Sequence, residues 1–323
     1  MIDIDSFEEF DELPTYLNIK KPVQKKNKHP VIMSKLPSPE LLAQIQEGRS
    51  DDFPYTYTPS RFEGKWLTDS LGGFYEEHWF DDVVRMVKGG KEASVYLCRG
   101  NETTGQDWLA AKVYRPRMFR NLKDDHIYRE GRAYLDDAGL EIKDHRAEHA
   151  ITKRTNFGLH LLHIDWIQHE FNTMKILYEA GGAIPQPYVC ANNAILMEYI
   201  GDEQTPAPTL NTVNLNRRSA ARLFGRVVEN IRLMLKHNLI HGDFSAYNLL
   251  YWEENIWMID FPQSFSCHSN QNAWLIFLRD VTRVCQYFSR QGVIVNSDEL
   301  AQCLWKEKGL PTAPENDQVI LDE

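Results

Sequence analysis

The chain has 323 residues, of which 42% are hydrophobic and 25% are charged, and its formal net charge is −10. This balance supports one large or two ordinary folded domains, and it disfavours a protein that binds nucleic acid over a wholly basic surface. The five cysteines are scattered and include no C-x-x-C pair, so we expect neither a disulfide framework nor a zinc site, and a reducing, cytoplasmic location is favoured.

Residues 1–62 are the first segment with a pattern of its own. Prolines are frequent and hydrophobic periodicity is weak, which predicts a largely irregular arm with at most one short helix over 39–46. The acidic start "MIDIDSFEEFDELP" lacks the basic and apolar regions of a signal peptide. No apolar run in the chain approaches the ~20 residues of a membrane-spanning helix. We therefore expect a cytoplasmic protein with no membrane partner.

The segment after the arm contains short apolar runs that favour β-structure. "DVVRMV" (82–87), "ASVYLC" (93–98) and "WLAAKVY" (108–114) are separated by glycine-rich or polar turns, which predicts an antiparallel meander. A charged, mixed segment follows over 115–158. Apolar residues then recur at helical spacing over 160–182, which predicts a helix that ends at a pair of glycines.

The rest of the chain is predicted to be mainly helical. "YVCANNAILMEYI" first predicts a hairpin with Asn192-Asn193 at its turn. Helices are then expected over 216–238, 272–292 and 297–308, where apolar residues repeat along one face. The predicted fold class is therefore α+β, with a small antiparallel-sheet lobe that carries one helix, followed by a helical lobe.

Candidate phosphate-binding groups lie in the predicted sheet lobe. Gly89 and Gly90, in the loop "KGGKEASVY", let backbone N–H groups approach phosphate oxygens closely. Lys112 stands between apolar residues of the third predicted strand, where a buried ammonium group must find an anion. Glu170, on the next helix, is the best-placed acid to pair with it. A glycine loop, a strand lysine and a helix glutamate in this order are parts of a kinase-type phosphoryl-transfer site.

The stretch "HGDFSAYNLLYWEENIWMID", which starts at His241, supplies further parts of such a site. Asp243 is the candidate catalytic base, and His241 is expected to form structural hydrogen bonds. A hairpin that turns at 253–255 would bring Asn248 and Asp260 to the same end. A carboxylate and an amide oxygen that converge there suit Mg²⁺, a hard cation that prefers oxygen ligands.

Asp280 lies on the apolar face of a later predicted helix. If it is buried, it needs hydrogen-bond donors and could hold the backbone of the Asp243 loop. If it is exposed, it is an ordinary helix acid. The sequence leaves both interpretations open.

With these residues in place, the chain resembles the RIO family of atypical serine/threonine protein kinases over about residues 74–305. The motifs that carry the resemblance are "KGGKEASVY", "AAKVY", "LMEYIG", "HGDFSAYNLL" and "IDFPQS", the last of which stands where protein kinases usually have D-F-G. The stretch "TPAPTLNTVNL" is similar to the family's first subgroup, which lacks a winged helix.

The resemblance implies a bilobal kinase fold over 63–310, with an N-lobe at 63–200, a C-lobe at 201–310 and a C-terminal tail at 311–323. The charged segment 115–158 corresponds to the family's flexible insertion. ATP and Mg²⁺ are the implied cofactors. The implied ATP-binding residues are Gly89, Gly90, Lys91, Ser94, Val95, Lys112, Glu170, Met197, Glu198 and Ile200.

The resemblance also implies roles for the acids of the second lobe. Asp243 is the implied catalytic acid/base, and Asn248 and Asp260 are the implied magnesium ligands. Asp260 is in addition a candidate aspartyl-phosphate site. The implied activity is phosphorylation of protein serine or threonine, ATP hydrolysis, or both.

The implied partners follow from the family's part in small-ribosomal-subunit maturation. They are a protein substrate or a ribosomal precursor particle, with nucleic acid contacted only indirectly. The oligomeric state stays open.

Two other functions also stay open. A small-molecule phosphotransferase of the aminoglycoside or choline kind also uses "HGD…N…ID", although it usually has a larger C-terminal helical extension. A pseudokinase scaffold would bind nucleotide without chemistry.

Overall fold

The computed structural model describes residues 55–115, 132–191 and 193–311. In these ranges the helices are α1 (Arg61–Glu76), α2 (His145–Thr152), α3 (Asn156–Glu179), α4 (Arg217–Lys236), α5 (Ala273–Arg290) and α6 (Ser297–Glu307). The strands are β1 (Asp82–Gly89), β2 (Ala93–Arg99), β3 (Trp108–Tyr114), β4 (Pro187–Ala191), β5 (Ala194–Glu198), β6 (Leu239–Ile240), β7 (Leu249–Trp252), β8 (Asn255–Met258) and β9 (Phe265–Ser266). Most of the predicted arm, its 39–46 helix and the tail beyond Pro311 lie outside the described residues.

A five-stranded antiparallel sheet forms the first lobe, in the order β1-β2-β3-β5-β4. The predicted meander and the predicted hairpin are confirmed as β1–β3 and β4–β5. Val95, Lys112 and Ile195 are paired across the three central strands, so Lys112 lies in the middle of the sheet.

The two faces of the sheet pack against different layers, because successive side chains of a strand point to opposite sides. Leu109, Ala111 and Val113 of β3 join a cluster with Leu67 and Leu71 of α1. Ala110 and Tyr114 instead join the larger cluster that includes α3 and the helical lobe. The sequence pattern did not predict α1, which covers the outer face and leaves the inner face for the site.

The helical lobe is built on α4, α5 and α6, close to the predicted ranges. Asn216 caps α4, because its side chain accepts a hydrogen bond from the backbone N–H of Ser219. The chain leaves the helix near Asn238, whose φ is +62°. Together the sheet lobe and the helical lobe form a bilobal α+β fold. The proposed lobe boundaries at residues 63, 200 and 310 stay predictions. None of the described helices has the length and apolar content of a bilayer span.

The described part of the charged segment 115–158 contains helical structure that its sequence pattern did not predict. It contains helix α2, and α3 begins at Asn156, before the predicted start at residue 160. Arg132 forms an ion pair of 2.6 Å with the fully buried Asp165 of α3, whose other carboxylate oxygen accepts the N–H of Leu135. Residues 132–135 are therefore anchored on the helix that carries Glu170.

Candidate active site

A cavity of about 720 Å³ lies between the inner face of the sheet and the β7–β8 hairpin. Most of the predicted site residues line it, namely Gly90, Lys91, Val95, Lys112, Glu170, Met197, Glu198, Ile200, Asn248 and Asp260. Apolar lining residues that the sequence did not single out include Ala110, Met174, Leu250 and Ile259. The cavity thus combines an apolar interior with a few convergent polar groups, as ligand sites do.

Five predicted residues are not part of this lining: Gly89, Ser94, Asp243 and the two supporting residues His241 and Asp280. Ser94 is 1% exposed, because it points to the opposite face of β2 from Val95. Gly89 lies between the lining residues Lys88 and Gly90, and Asp243 contacts the lining residue Asn248. At Gly90 an added Cβ would come within 2.8 Å of the carbonyl oxygen of Ala93, so the tight loop requires glycine there.

Lys112 joins the two lobes through two carboxylates. Its Nζ lies 2.7 Å from Oε1 of Glu170 and 2.7 Å from Oδ1 of Asp260. The Lys112 side chain is 14% exposed and that of Glu170 is 1% exposed, whereas Asp260 is 44% exposed. The predicted pairing of Lys112 with Glu170 is therefore present in the structure, and Asp260 shares the same ammonium group.

The charges in this cluster support one another. Burial alone would lower the pKa of Lys112, but Asp260 and Glu170 outweigh it and hold that pKa above its usual value of 10.5. Partial removal from water would by itself raise the pKa of Asp260. The Lys112 ammonium outweighs this effect and lowers that pKa below its usual value of 3.8. The lysine and the aspartate are thus both charged at neutral pH.

Tyr114 is a site residue that the sequence interpretation missed. Its hydroxyl donates to Oε2 of Glu170, so that the buried carboxylate has a partner on each oxygen. Tyr114 is 1% exposed, and burial keeps its pKa well above 10.0, so the hydroxyl stays a donor. The signal in the sequence was its position two residues after Lys112, on the same face of β3.

Replacing Tyr114 with phenylalanine is expected to leave one oxygen of the Glu170 carboxylate unpaired. Because Glu170 is buried, we expect the free energy of unfolding to fall by about 1–3 kcal/mol. Urea denaturation of the wild-type and Tyr114→Phe proteins measures this difference. Tyr188→Phe, on the edge strand β4, is a matched control with a smaller expected effect. Equal stability of wild type and Tyr114→Phe would contradict the hydrogen bond between Tyr114 and Glu170.

The catalytic-loop candidates lie just before the β7–β8 hairpin. Asn248 belongs to a 3₁₀ turn over Ala246–Asn248 and not to the strand itself. The hairpin turn consists of Glu253 and Glu254, both at positive φ, and is one residue shorter than predicted. The backbone N–H of Ile259 donates to the carbonyl of Asn248 at 3.0 Å, which brings Asn248 and Asp260 to the same end.

Asp243 is fixed by hydrogen bonds on both sides of its carboxylate. Nδ2 of Asn248 donates to Oδ2 at 3.0 Å and to the Asp243 carbonyl at 2.8 Å. Nη1 of Arg283, on α5, lies 2.9 Å from Oδ1. The sequence interpretation did not identify Arg283, because nothing local links residues 40 positions apart.

His241 and Asp280 support this loop from within the protein. His241 is 1% exposed and packs against Phe244 and Phe261. Its Nδ1 accepts the N–H of Asp243 at 3.4 Å, and its Nε2 lies 3.2 Å from the carbonyl of Ile259.

Asp280 is buried, at 3% exposure, and its Oδ2 accepts the N–H of Gly242 at 2.9 Å. Burial raises the pKa of Asp280, and Arg279 offsets part of that rise. Of the two interpretations left open by the sequence, the structure therefore favours support of the loop backbone.

The residues present fit a magnesium site at the end of the hairpin. Asn248 uses its amide nitrogen on Asp243, which leaves its amide oxygen to bind a cation. Asp260 contacts Lys112 through Oδ1, which leaves Oδ2 for the same purpose. Among the described residues, no group of three or more His, Cys, Asp and Glu side chains is arranged to hold a metal ion. Two protein oxygens completed by substrate phosphates and water are a common arrangement for Mg²⁺.

Sequence comparisons relate the chain to named kinases. A protein named serine/threonine-protein kinase RIO1 from Caenorhabditis elegans is 26% identical over 243 residues, which are 73% of this chain and 44% of that protein. The RIO-type serine/threonine-protein kinase Rio1 of Haloferax volcanii is 27% identical over 225 residues, 69% of each chain. The matches thus span between less than half and about two thirds of these relatives.

Solved structures share the fold. The Rio2 kinase from Chaetomium thermophilum has a TM-score of 0.51 at 22% identity, over 80% of this chain and 72% of that one. Its ADP/Mg²⁺-phosphoaspartate complex has a TM-score of 0.51 at 19% identity, over 88% and 82% of the two chains. At these identities the structures support the bilobal kinase fold.

A family model matches residues 95–300, which are more than half of the chain, and its description is RIO domain. The matched range contains Lys112, Glu170, Asp243, Asn248 and Asp260. The chain therefore belongs to the RIO domain family.

Proposed function

We propose that the protein is an ATP- and magnesium-dependent serine/threonine protein kinase, an ATPase, or both. The observation that carries the proposal is the contact of Lys112 with Glu170 and Asp260 inside a cavity that Asn248 also lines. Such an arrangement places a fixed positive charge and two potential metal ligands around one pocket. The kinase names of its relatives support the same activity.

Each residue of the site has a role that follows from its chemistry. Lys112, held by Glu170, would neutralise charge on the ATP phosphates. Asp243 would accept the proton of the attacking hydroxyl group. Asn248 and Asp260 would hold Mg²⁺, which when bound supplies positive charge to the β- and γ-phosphates. Catalysis would therefore depend mainly on positioning and on electrostatic stabilisation.

The Asp243→Asn variant tests the role of the base. We expect turnover to fall by about 10²–10⁴-fold, because an amide cannot accept the proton. Nucleotide affinity should be unchanged, because Asp243 does not line the cavity. Steady-state ATP turnover and calorimetric titration with ATP and Mg²⁺ measure the two quantities. Undiminished turnover in this variant would remove Asp243 from the mechanism.

We further propose that Asp260 can itself receive the phosphoryl group. Its carboxylate, 44% exposed, faces the cavity. A carboxylate oxygen would attack the γ-phosphorus, the bond to the β,γ-bridging oxygen would break, and ADP would leave. Water would then hydrolyse the acyl phosphate and release inorganic phosphate. The phosphoaspartate of the Chaetomium thermophilum Rio2 complex supports this proposal.

Hydroxylamine distinguishes the two phosphorylated products. It cleaves acyl phosphates but leaves phosphoserine and phosphothreonine intact. A labile label mapped to Asp260 after incubation with γ-labelled ATP would support an ATPase cycle. A stable label on serine or threonine would support protein phosphorylation instead.

The wider context of the activity is also a proposal. We propose a cytoplasmic location for this protein. Its proposed partner is a protein substrate or a ribosomal precursor particle, with nucleic acid contacted only indirectly and with no membrane partner. The likeness of "TPAPTLNTVNL" to the first RIO subgroup is part of the same proposal.

Turnover stimulated by choline or an aminoglycoside would favour a small-molecule phosphotransferase, and nucleotide binding without turnover would favour a scaffold.

A further inference from the structure

The structure pairs the predicted catalytic base with an arginine from another element. We propose that Arg283 is a positioning residue for phosphoryl transfer, which holds the Asp243 carboxylate in the orientation that accepts the hydroxyl proton. This inference rests on the proposed function, because it assigns Asp243 as the base. It adds to the site a residue of α5 that neither lines the cavity nor belongs to a motif named above.

The geometry fixes the plane of the Asp243 carboxylate. Arg283 Nη1 binds Oδ1 at 2.9 Å, and Asn248 Nδ2 binds Oδ2 at 3.0 Å. An ionised carboxylate has about four lone-pair sites, so two contacts fix it and still leave sites for an incoming hydroxyl group. Without Arg283 the carboxylate would keep one side-chain contact and could turn about its Cβ–Cγ bond.

Helix α5 is a rigid support for this contact. Asp280, three residues before Arg283, lies on the same helix face and binds the N–H of Gly242. Arg279 donates to the carbonyl oxygen of Gly242. Val281 and Val284, each 1% exposed, anchor the helix in the main core. Helix α5 therefore holds both the backbone at Gly242 and the side chain of the neighbouring Asp243.

The exposure of the pair argues against a large contribution to the stability of the fold. The side chains of Arg283 and Asp243 are 38% and 43% exposed, and ion pairs of that exposure contribute little to stability. Arg232 and Glu307 form a pair at 2.8 Å with similar exposures of 48% and 45%, away from the cavity residues. The second pair offers a matched control for the first.

The test compares steady-state kinetics and thermal unfolding of Arg283→Gln, Arg283→Lys and Arg283→Ala with wild type and Arg232→Gln. We expect Arg283→Gln to lower kcat by about 10- to 100-fold, with KM for ATP within about threefold of wild type. Arg283→Lys should recover part of the loss. Added guanidinium at millimolar, non-denaturing concentration should raise the turnover of Arg283→Ala but not that of wild type. Melting temperatures of all variants should match that of Arg232→Gln.

The outcomes separate this inference from the proposed function. An unchanged kcat in Arg283→Gln, while wild type turns over ATP, would overturn the inference alone. A loss of kcat that follows a lowered melting temperature and does not respond to guanidinium would assign Arg283 a structural role and overturn it as well. Absence of turnover in wild type with ATP and Mg²⁺ would overturn the proposed function, and the inference with it.

Discussion

Replacing Asp260 with asparagine is expected to abolish magnesium-dependent ATP turnover, with a loss of about 10³-fold or more. The change removes the negative charge that pairs with Lys112 at 2.7 Å. It also exchanges the one carboxylate of the two proposed Mg²⁺ ligands for an amide, and it removes the nucleophilic carboxylate of the proposed acyl phosphate. An amide oxygen is a weaker ligand for a hard dication than a carboxylate.

The measurement for Asp260→Asn is the initial rate of ATP hydrolysis at saturating ATP, with and without Mg²⁺. Asp107→Asn, at the exposed turn before β3, is the matched control and should keep the wild-type rate. Turnover of Asp260→Asn within about tenfold of wild type would contradict the assignment of Asp260 to metal binding, because loss of one such electrostatic contact typically costs about 10²–10³-fold.

Replacing Lys112 with methionine is expected to have the largest effect on stability. Removing one partner of a buried ion pair leaves the other charge uncompensated, and the free energy of unfolding should fall by about 3–5 kcal/mol. Glu170 would be the uncompensated charge, since it is 1% exposed. ATP affinity should fall as well, because the cavity loses its central cation.

A second substitution separates these two effects. The double variant Lys112→Met, Glu170→Gln removes the uncompensated charge, so it should recover much of the stability lost by Lys112→Met. ATP affinity should not recover, because the ammonium group is still missing. Urea denaturation and calorimetric titration with ATP and Mg²⁺ measure the two quantities. Wild-type ATP affinity in Lys112→Met would mean that this lysine does not contact the nucleotide.

The pH dependence of the free energy of unfolding follows from the pKa shifts of Lys112 and Asp260. Because the pKa of Lys112 is raised in the fold, its contribution is complete below 10.5 and is lost as the pH rises through the folded-state pKa. Because the pKa of Asp260 is lowered, its contribution is present above 3.8 and is lost as the pH falls through the folded-state pKa. The contribution of the Lys112–Asp260 pair to the free energy of unfolding of the wild-type protein should therefore be constant between about pH 6 and about pH 9.

The sequence predicted the parts of the fold that depend on local pattern. The β1–β3 meander follows from β-branched runs between turns, and α4 follows from apolar spacing with Asn216 as its cap. Helix α1 was missed although its buried residues Leu67, Leu71 and Phe74 have helical spacing. Its three glycines lower its helix propensity, and burial against the sheet outweighs that cost.

The sequence predicted the charged residues of the site better than their partners. Lys112, Glu170 and Asp260 could be found because each lies at a recognisable position in a local motif. Arg283 could not be found in this way, because its contact with Asp243 joins α5 to a distant loop. Ser94 was placed in the site by its motif, yet the alternation of side chains along β2 turns it to the opposite face.

The fate of the γ-phosphate tests the central claim most directly. Wild-type protein and the Asp260→Asn variant would each be incubated with γ-labelled ATP, with and without Mg²⁺, and the label followed in ATP, protein and free phosphate. We predict that the label leaves ATP only with Mg²⁺ present and only in the wild-type protein. Equal transfer by the two proteins, or label that stays in ATP under all conditions, would contradict the proposed site.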